Sequence, residues 1–381
     1  EVENQYVAFG DAYFTKLQAQ ASINELPDVV GINPTVPALI NQNKLLNLKD
    51  AMNTPAYDSE EAWQATLAES LMADLSSKFD NNPNLNEELK PKNGNVWAVP
   101  FGATSLAVIY NKSIFDQVGI QAPATWEQFM DNNDKLKAAG FIPIAHAGNV
   151  WRNWWIKSIL DQTARDIDGD DYTNGGLQPD DPRIVEALTI FTDMVNRGHF
   201  DKGAVTAGIE DAQALFVQQK AAQFYIVPEN FVTYLQDNVP ADVELGAFVL
   251  PGAKGIPYRS IGGAANMVAV SADSKHQEAA LKFAKFLTSA AIFNLLSDQH
   301  VVPSVKGYQP PAGDDIMGAY AQAYNEGFAT NHTPPWTPES EKIWEAELIS
   351  GMLIGSLSPE ETAKQMKELW EKDANNPANR Q

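Results

Sequence analysis

The feature that most constrains the fold is the alternation of strand-like and helix-like segments along nearly all of a 381-residue chain. Short apolar runs follow one another with amphipathic segments of helical period between them, which is the pattern of α/β layers with a largely parallel sheet. At roughly 150 residues per domain the length predicts two domains. No Pro-, Gly- or Ser-rich linker separates two sequential halves, so we expect the chain to cross between the domains more than once.

Individual elements follow from local signals. The apolar runs predict strands at 2–8, 27–32, 141–145, 222–227, 243–250 and 266–271, with two further strand-like runs inside 95–110. The helical spacing of apolar residues predicts helices that include 11–23, 60–79 and 151–160. Thr125 and Gln128 form the pattern of a capping box for a helix that ends near Gly140. Asp181 and Pro182 are typical of a helix start, with Gly198 at the end of that helix.

The charge balance excludes several classes of partner. Lys and Arg number 27 against 49 Asp and Glu, a formal charge of −22 that repels phosphate backbones and argues against nucleic-acid binding. The absence of cysteine excludes disulfides, thiolate nucleophiles and Cys-ligated metals. No run approaches ~18 apolar residues, so no membrane span is expected. The chain lacks a start methionine and a signal peptide, and we expect it to be a processed or trimmed form.

The usual catalytic and cofactor signatures are missing. The chain has no phosphate loop, no G-x-G-x-x-G, no H-E-x-x-H and no G-x-S-x-G, and we expect neither a cofactor nor a metal. Five histidines are scattered without ligand spacing, which favours surface or structural roles: His146, His199, His276, His300 and His332. The Asp-rich segment 166–181 fails the calcium-loop pattern, because the sixth and twelfth positions counted from Asp166 are not Gly and Glu. A solvated loop is the favoured interpretation, and calcium binding there stays open.

Aromatic residues beside polar ones are the strongest chemical signal. Trp151, Arg152, Asn153, Trp154 and Trp155 place three indoles and two multi-donor side chains within five positions. Indole faces cover the apolar faces of sugar rings, and a pocket for a neutral polar ligand needs flat walls with a few hydrogen-bonding groups. The alternative is a helix with one buried face, on which positions 151 and 155 face the core and 154 lies on another side.

A second aromatic cluster lies in 333–344, where Trp336 and Trp344 either reach a binding site or hold the loop to the domain. Glutamates near aromatic residues keep a glycoside hydrolase open as the alternative, with Glu229 and either Glu339 or Glu341 as its carboxyl pair. Such enzymes need two carboxyl groups ~5–10 Å apart, a distance that sequence spacing does not supply.

Five segments in order resemble the extracellular solute-binding proteins of carbohydrate ABC importers, the family of maltose-binding protein. The most specific is WAVPFGATSLAVIYNKSIF at 97–115; the others are 13–30, 119–129, 216–235 and 274–287. The resemblance implies a periplasmic-binding-protein-like fold of two α/β lobes with hinge crossovers and a ligand cleft between them. It implies a first lobe of 1–104 plus 267–309, a second of 108–262 plus 314–381, and hinges near 104–108, 262–267 and 309–314.

The resemblance also implies site residues. Thr104 matches a hinge-proximal ligand contact, Gly263 and Asn266 belong to the glycine-rich second hinge, and Asn33 lies at the rim of the first lobe. Trp151, with its neighbours Asn153 and Trp154, matches an aromatic wall of the second lobe, and Trp344, preceded by Trp336, matches a stacking tryptophan. Where the family often shows Gly-Ser-Trp, this chain has Glu229 and Phe231, which implies a different specificity there.

Together these observations predict a binding protein that is not an enzyme. We expect it to capture a neutral oligosaccharide by cleft closure and to deliver it to the membrane permease of an ABC importer. We expect a monomer with an extracellular or periplasmic location, with a lipid anchor left open.

Few basic residues lie in the candidate segments, chiefly Arg152 and Arg259, which argues against a highly anionic ligand; polyols, sugar phosphates and uronates stay open. A surface adhesin for glycans is a third alternative. We expect the family's opening strand and helix to be absent and the sequence to begin inside the first lobe.

Overall fold

In the computed structural model the chain divides into two compact units. Unit 1 comprises Glu1–Thr104 and Gly263–Gln309, and unit 2 comprises Ser105–Gly262 and Pro310–Gln381. The chain therefore passes from one unit to the other three times. The structure describes residues 2–5, 11–32, 37–82, 84–147, 152–165, 177–228, 231–296, 300–329 and 337–374.

Unit 1 is built around a four-stranded sheet of order β1-β7-β2-β8. Its elements in chain order are α1 (Asp11–Ser22), β1 (Val29–Ile32), α2 (Pro37–Asn41), α3 (Trp63–Thr66), α4 (Glu69–Asp80), β2 (Val99–Thr104), β7 (Gly263–Val270), α11 (Gln277–Leu287), α12 (Ala290–Leu295) and β8 (Val302–Pro303). The central strand β7 thus comes from the second segment of the unit and lies between two strands of the first.

Unit 2 contains a second sheet, of order β4-β5-β3-β6. Its elements in chain order are β3 (Leu106–Asn111), α5 (Lys112–Val118), α6 (Trp126–Ala138), β4 (Ile142–Ala145), α7 (Arg152–Thr163), α8 (Pro182–Arg197), α9 (Ile209–Val217), β5 (Ala221–Pro228), α10 (Val232–Asn238), β6 (Leu245–Phe248), α13 (Asp315–Asn325), α14 (Pro338–Ile343), a π-helical turn (Trp344–Leu348), α15 (Ile349–Leu353) and α16 (Pro359–Ala374). β4 and β5 are parallel, whereas β3 is antiparallel to both β5 and β6.

The prediction of a largely parallel sheet is wrong, and the path of the chain explains why. Every described strand pair of unit 1 is antiparallel. The chain leaves unit 1 at the end of β2 and re-enters it at the start of β7, and the residues at these two points, Thr104 and Gly263, are cross-strand partners. A strand that ends where its neighbour begins runs in the opposite direction, so these two strands pair antiparallel.

The expected helix over 60–79 is interrupted. α3 ends at Thr66 and α4 starts at Glu69, because Leu67 is extended, with φ −92° and ψ 151°, and forms a bridge with Val305. The backbone N–H of Ala68 donates to the carbonyl of Ser304 at 2.7 Å. A pairing with a segment more than 230 residues away therefore overrides the local helical pattern.

The core of unit 1 lies between the sheet and the helices that flank it. Trp63 is fully buried beside Val99 and Val268, and its Nε1 donates to Thr288 Oγ1 at 2.9 Å. This hydrogen bond satisfies the indole N–H inside an apolar core.

Unit 2 has a larger core, in which aromatic rings dominate. Phe129, Trp155 and Phe191 are fully buried in one cluster. The ring of Trp155 lies on that of Tyr225, with centroids 3.5 Å apart. The helix that carries three tryptophans therefore packs one of them into the core.

Two predicted helix starts are confirmed in their chemistry. Thr125 Oγ1 accepts a hydrogen bond from Gln128 N at 3.3 Å, while Gln128 Oε1 accepts from the neighbouring Ala124 N, so the box closes one residue early. Asp181 accepts from Arg183 N at 2.9 Å and caps α8, which ends before Gly198 at φ +74°. Both signals are local, which is why the sequence reveals them.

The predicted strand at 2–8 is wrong where the structure describes it, because residues 2–5 form no strand and Val2 is 63% exposed. A short alternating pattern needs a partner edge to become a strand, and residues 6–8 lie outside the described part. Among the described residues no helix is both long and apolar enough to cross a bilayer.

One buried histidine has a structural role, as the scattered pattern predicts. His199 is inaccessible to solvent, and its Nε2 lies 2.8 Å from Asp134 Oδ1. Burial lowers the pKa of His199, more than the nearby Asp134 carboxylate raises it. The neutral ring with its proton on Nε2 fits these contacts, since Nδ1 is buried with no acceptor or donor among the described residues.

Candidate functional site

Two of the predicted binding segments follow neighbouring parallel strands of the unit 2 sheet. β4 and β5 are parallel, with Ala145 opposite Phe224, so their carboxyl ends lie at the same edge of the sheet. Trp151, Asn153 and Trp154 follow β4 in the chain, and Glu229 and Phe231 follow β5. The edge at the carboxyl ends of parallel strands is where α/β sheets place ligands. Sequence reasoning had grouped these residues without knowing that the two strands are neighbours.

The aromatic side chains that the structure describes in these two segments differ in burial. Trp155 is fully buried, whereas Trp154 is only half-buried against the core, and Phe231 is half-buried next to α10. The positions of 155 and 154 fit the alternative interpretation, a helix with one buried face, and contact of Trp154 with a ligand stays a prediction. Trp151 and Glu229 lie outside the described residues, and of Asn153 the structure describes the helical backbone alone.

Behind Trp154, α7 carries buried hydroxyl groups. Ser158 Oγ lies 3.4 Å from the hydroxyl of Tyr258, and both side chains are buried. Burial raises the pKa of Tyr258, and raises that of Tyr225 well above its ordinary value, so both phenols stay protonated at neutral pH. The hydroxyl groups here act as neutral hydrogen-bonding groups.

Further along α7, the buried carboxylate of Asp161 forms ion pairs with two arginines, Arg165 and Arg259. The side chain of Asp161 is inaccessible to solvent, and its Oδ2 accepts from Arg165 Nη2 at 2.6 Å. Its Oδ1 accepts from both Nε, at 3.1 Å, and Nη2 of Arg259. Sequence reasoning missed Asp161, which read as the first residue of a polar loop; the signal available was Arg165, one helical turn later. Arg259, which was singled out for its charge, is committed to this ion pair.

In unit 1 the described predicted site residues lie at the end of β2 and in the first half of β7. Thr104, the last residue of β2, is half-buried and pairs with the buried Gly263. Asn266 of β7 is exposed with φ +51°, a left-handed backbone that asparagine tolerates better than most residues. Ile32, the last residue of β1, pairs with Met267. Asn33, the next residue in the chain, lies outside the described residues.

Two side chains that the sequence did not reveal fasten this end of β7. Asp74 of α4 accepts from Ala264 N at 2.7 Å, and Lys78 donates to the carbonyl of Ala264 at 3.3 Å. Asp74 and Lys78 also form an ion pair at 2.7 Å. In the sequence they are an i,i+4 pair, a spacing that indicates a surface salt bridge and gives no sign of a distant backbone partner.

The second aromatic cluster is only partly described. Trp344 begins the π-helical turn and is 5% exposed, packed in the core of unit 2 with Leu348 and Met352. Trp336 lies outside the described residues. The structure therefore shows Trp344 as a core residue, and its contact with a ligand stays a prediction.

The carboxylates considered for a hydrolase form no described pair. Glu339 is exposed and lies 3.3 Å from Lys372 in a surface ion pair. Glu229 and the side chain of Glu341 lie outside what the structure describes. In the part of the chain that is described, no group of three His, Asp or Glu residues could hold a metal ion. At the end of the Asp-rich segment, Asp180 is paired with Lys367 at 2.6 Å and Asp181 caps a helix.

A surface cavity of about 330 Å³ lies in unit 1, and none of the predicted site residues that the structure describes lines it. Asp58, Glu61, Thr288 and Lys306 are among its lining residues. Its polar groups are partly engaged already, because Asp58 accepts from Ala291 N and Thr288 accepts from the Trp63 indole.

Comparisons with known proteins agree on one family. The family described as bacterial extracellular solute-binding protein matches residues 1–292. The multiple sugar-binding protein of Streptococcus mutans is 23% identical over 324 residues, which cover 82% of this chain and 70% of that protein. The diacetylchitobiose binding protein DasA of Streptomyces coelicolor is 24% identical over 369 residues, 92% of this chain and 78% of that one.

Solved structures give the same answer for the fold. The apo form of RafE from Streptococcus pneumoniae superposes with a TM-score of 0.72 at 18% identity, covering 96% of this chain and 89% of that chain. The predicted two-lobed α/β fold is confirmed by this likeness.

Proposed function

The chain belongs to the family of bacterial extracellular solute-binding proteins, and we propose that it captures a neutral oligosaccharide and delivers it to the permease of an ABC importer. Two relatives whose names refer to sugars, a multiple sugar-binding protein and a diacetylchitobiose binding protein, support a carbohydrate ligand. The protein acts outside the cytoplasm as a monomer and does not turn its ligand over.

The observation that carries this proposal is the edge of the unit 2 sheet. The parallel strands β4 and β5 both end at this edge; Asn153 and Trp154, with its half-buried indole, belong to the segment after β4, and Glu229 and Phe231 belong to the segment after β5. Flat apolar faces beside a few hydrogen-bonding groups suit pyranose rings, which have apolar faces and a polar rim. A highly anionic ligand would need several uncommitted cations there.

The remaining predicted residues complete the proposed site. In unit 1 they are Asn33, Thr104, Gly263 and Asn266; in unit 2 they are Trp151, Asn153, Trp154, Glu229, Phe231, Trp336 and Trp344. The predicted hinges, near 104–108, 262–267 and 309–314, would let the units close on the sugar. Closure follows if the ligand binds the closed form better than the open form.

Calorimetry with neutral di- to hexasaccharides tests the proposal. We expect saturable binding of one oligosaccharide per chain, together with a decrease in the radius of gyration measured by small-angle X-ray scattering. A folded protein that binds none of these sugars would overturn the proposal. An assay for new reducing ends, with catalytic amounts of protein, separates binding from hydrolysis: turnover would favour the glycoside hydrolase.

A further inference from the structure

The Asp161 cluster holds Arg259 in one orientation. The Nε–H and one Nη2–H of a guanidinium lie on one edge of its plane, and this edge of Arg259 faces the Asp161 carboxylate. Asp161 is inaccessible to solvent, and Arg259 Nε lies within hydrogen-bonding distance of both of its oxygens, 3.1 Å from Oδ1 and 3.3 Å from Oδ2. The guanidinium is therefore fixed before any ligand arrives.

The opposite edge of Arg259 is still able to donate. No described residue accepts a hydrogen bond from Nη1, and the side chain is 25% exposed. A guanidinium has five N–H donors in a planar fork, and an edge with two parallel N–H groups suits two adjacent oxygen atoms. In a sugar such a pair of oxygens is supplied by vicinal hydroxyls.

Arg259 lies on the same side of α7 as Trp154. Trp154 and Asp161 are seven residues apart, nearly two turns of 3.6 residues, so they share one face of the helix about 10 Å apart along its axis. Ser158, between them, meets Tyr258 from that face. The segment that contains Tyr258 and Arg259 thus runs along the Trp154 face.

The residue after Arg259 ties this segment to the sheet edge. Ser260 Oγ accepts from the backbone N–H of Leu106 at 2.7 Å, and Leu106 pairs with Pro228, the last residue of β5. Ser260 is itself fully buried. Arg259 is therefore one residue from the edge at which the proposed sugar site lies.

We propose that Arg259 is a specificity-determining residue of the sugar site and that Asp161 is its positioning residue. The free Nη edge of Arg259 donates two hydrogen bonds to vicinal hydroxyls of a neutral sugar. Asp161 offsets one of the two positive charges of Arg165 and Arg259, so the group keeps a net charge of +1, and the planar shape of the free edge selects two adjacent oxygens. This inference rests on the proposed function and names the ligand chemistry of the same site.

The experiment compares Arg259→Gln and Arg259→Lys with the matched control Arg165→Gln. Both glutamine variants remove one arginine from the same buried carboxylate, so they share the structural effect on Asp161. The variants are titrated by calorimetry with the neutral oligosaccharide that binds the wild type best, and with a matched oligosaccharide that ends in a uronic acid. Thermal unfolding confirms that each variant is folded, and Arg259→Lys keeps a cation at Asp161 if the glutamine variant does not fold.

We expect Arg259→Gln to bind the neutral sugar about 10- to 100-fold more weakly, the range of lost hydrogen bonds to a charged group. Arg259→Lys should also weaken binding, because an ammonium lacks the planar fork, whereas Arg165→Gln should change the affinity by less than about threefold. Equal losses in both glutamine variants, or none in Arg259→Gln, would refute the inference and leave the proposed function standing. If the wild type binds the uronate more tightly than the neutral sugar, and Arg259→Gln loses this preference, the statement that Arg259 recognises a neutral sugar would be refuted. If the wild type binds no sugar, the proposed function itself fails.

Discussion

The carboxylate of Asp74 on α4 accepts a hydrogen bond from the backbone N–H of Ala264, the second residue of β7, at 2.7 Å. The two residues are 190 positions apart in the chain. The bond fixes β7 at the point where the chain re-enters unit 1, next to Gly263 with its φ of +99°. Helix α4, which belongs to the first segment of unit 1, thereby holds the start of β7, which belongs to the second segment.

Gly263→Ala should destabilise unit 1 by about 2–4 kcal/mol, from a left-handed backbone and a steric clash together. An added Cβ would lie 2.7 Å from Asp74 Cγ and 2.9 Å from Lys78 Nζ. Gly307→Ala is the matched control, because Gly307 has φ +74° and nothing within 4 Å of an added Cβ. Urea unfolding should show a loss of about 1–2 kcal/mol in the control. If both variants lose the same free energy of unfolding, an added Cβ at position 263 meets no steric clash with Asp74 beyond the cost of the backbone conformation.

Trp154→Ala should weaken sugar binding by about 1–3 kcal/mol, the scale of a stacked aromatic contact. Trp151→Ala should have a similar effect. Trp126→Ala is the control, because Trp126 is also half-buried in unit 2 and packs on Phe129 with ring centroids 5.3 Å apart. Calorimetry should find lower affinity in the first two variants and unchanged affinity in the control. Parent-like binding by Trp154→Ala and Trp151→Ala would move the site elsewhere.

His199 should make unit 2 less stable in acid. Burial lowers the pKa of His199, so the unfolded chain takes up a proton at a higher pH than the folded one. The free energy of unfolding therefore falls as the pH drops below about 6.5 and toward the folded pKa. Asp134, Arg197 and Asp193 are the charged groups that act on the ring.

The measurement is urea unfolding at several pH values between 5 and 7.5, with His199→Gln as the comparison. Glutamine keeps a donor for Asp134 but does not titrate, so the variant should lose less stability on acidification than the parent. Parallel pH profiles for the two proteins would assign the acid sensitivity to other groups.

Asp181→Ala should cost about 1 kcal/mol, because it removes the N-cap of α8. Asp181→Asn keeps one oxygen as the acceptor for Arg183 N, and it loses the charge of the ion pair together with the hydrogen bond that Oδ2 accepts from Arg183 Nη2. Hydrogen bonding from the Arg183 side chain lowers the pKa of Asp181, so the contribution of the carboxylate is present above about pH 3.9 and is lost as the pH falls further. In thermal unfolding at pH 7, the parent and the Asn variant should both have a higher midpoint temperature than the Ala variant.

Local chemistry explains which parts of the fold were predictable. The caps at Thr125 and Asp181 depend on residues within four positions of one another, and both appear in the structure. The break at Leu67 depends on Val305 and Ser304, which no window around position 67 contains. The direction of strand pairing likewise depends on where the chain leaves and re-enters a unit.

The same distinction holds at the candidate site. Tryptophans close together in sequence mark the segment after β4 by composition alone. The partnership of Asp161 with Arg259 spans 98 positions, and that of Asp74 with Ala264 spans 190. In a sequence, an acidic residue in a helical segment indicates a solvated side chain, because the sequence does not show which distant residue it contacts. Neither contact was therefore predictable from one sequence.

The position of β7 between β1 and β2 has a consequence for synthesis on the ribosome. The first 104 residues contain β1 and β2, which meet only through a strand that starts at Gly263. All four strands of the other sheet lie between Leu106 and Phe248. All four strands of the unit 2 sheet are therefore synthesised while β1 and β2 still lack the central strand that joins them, so the sheet of unit 1 forms only after the strands of the other sheet have been made.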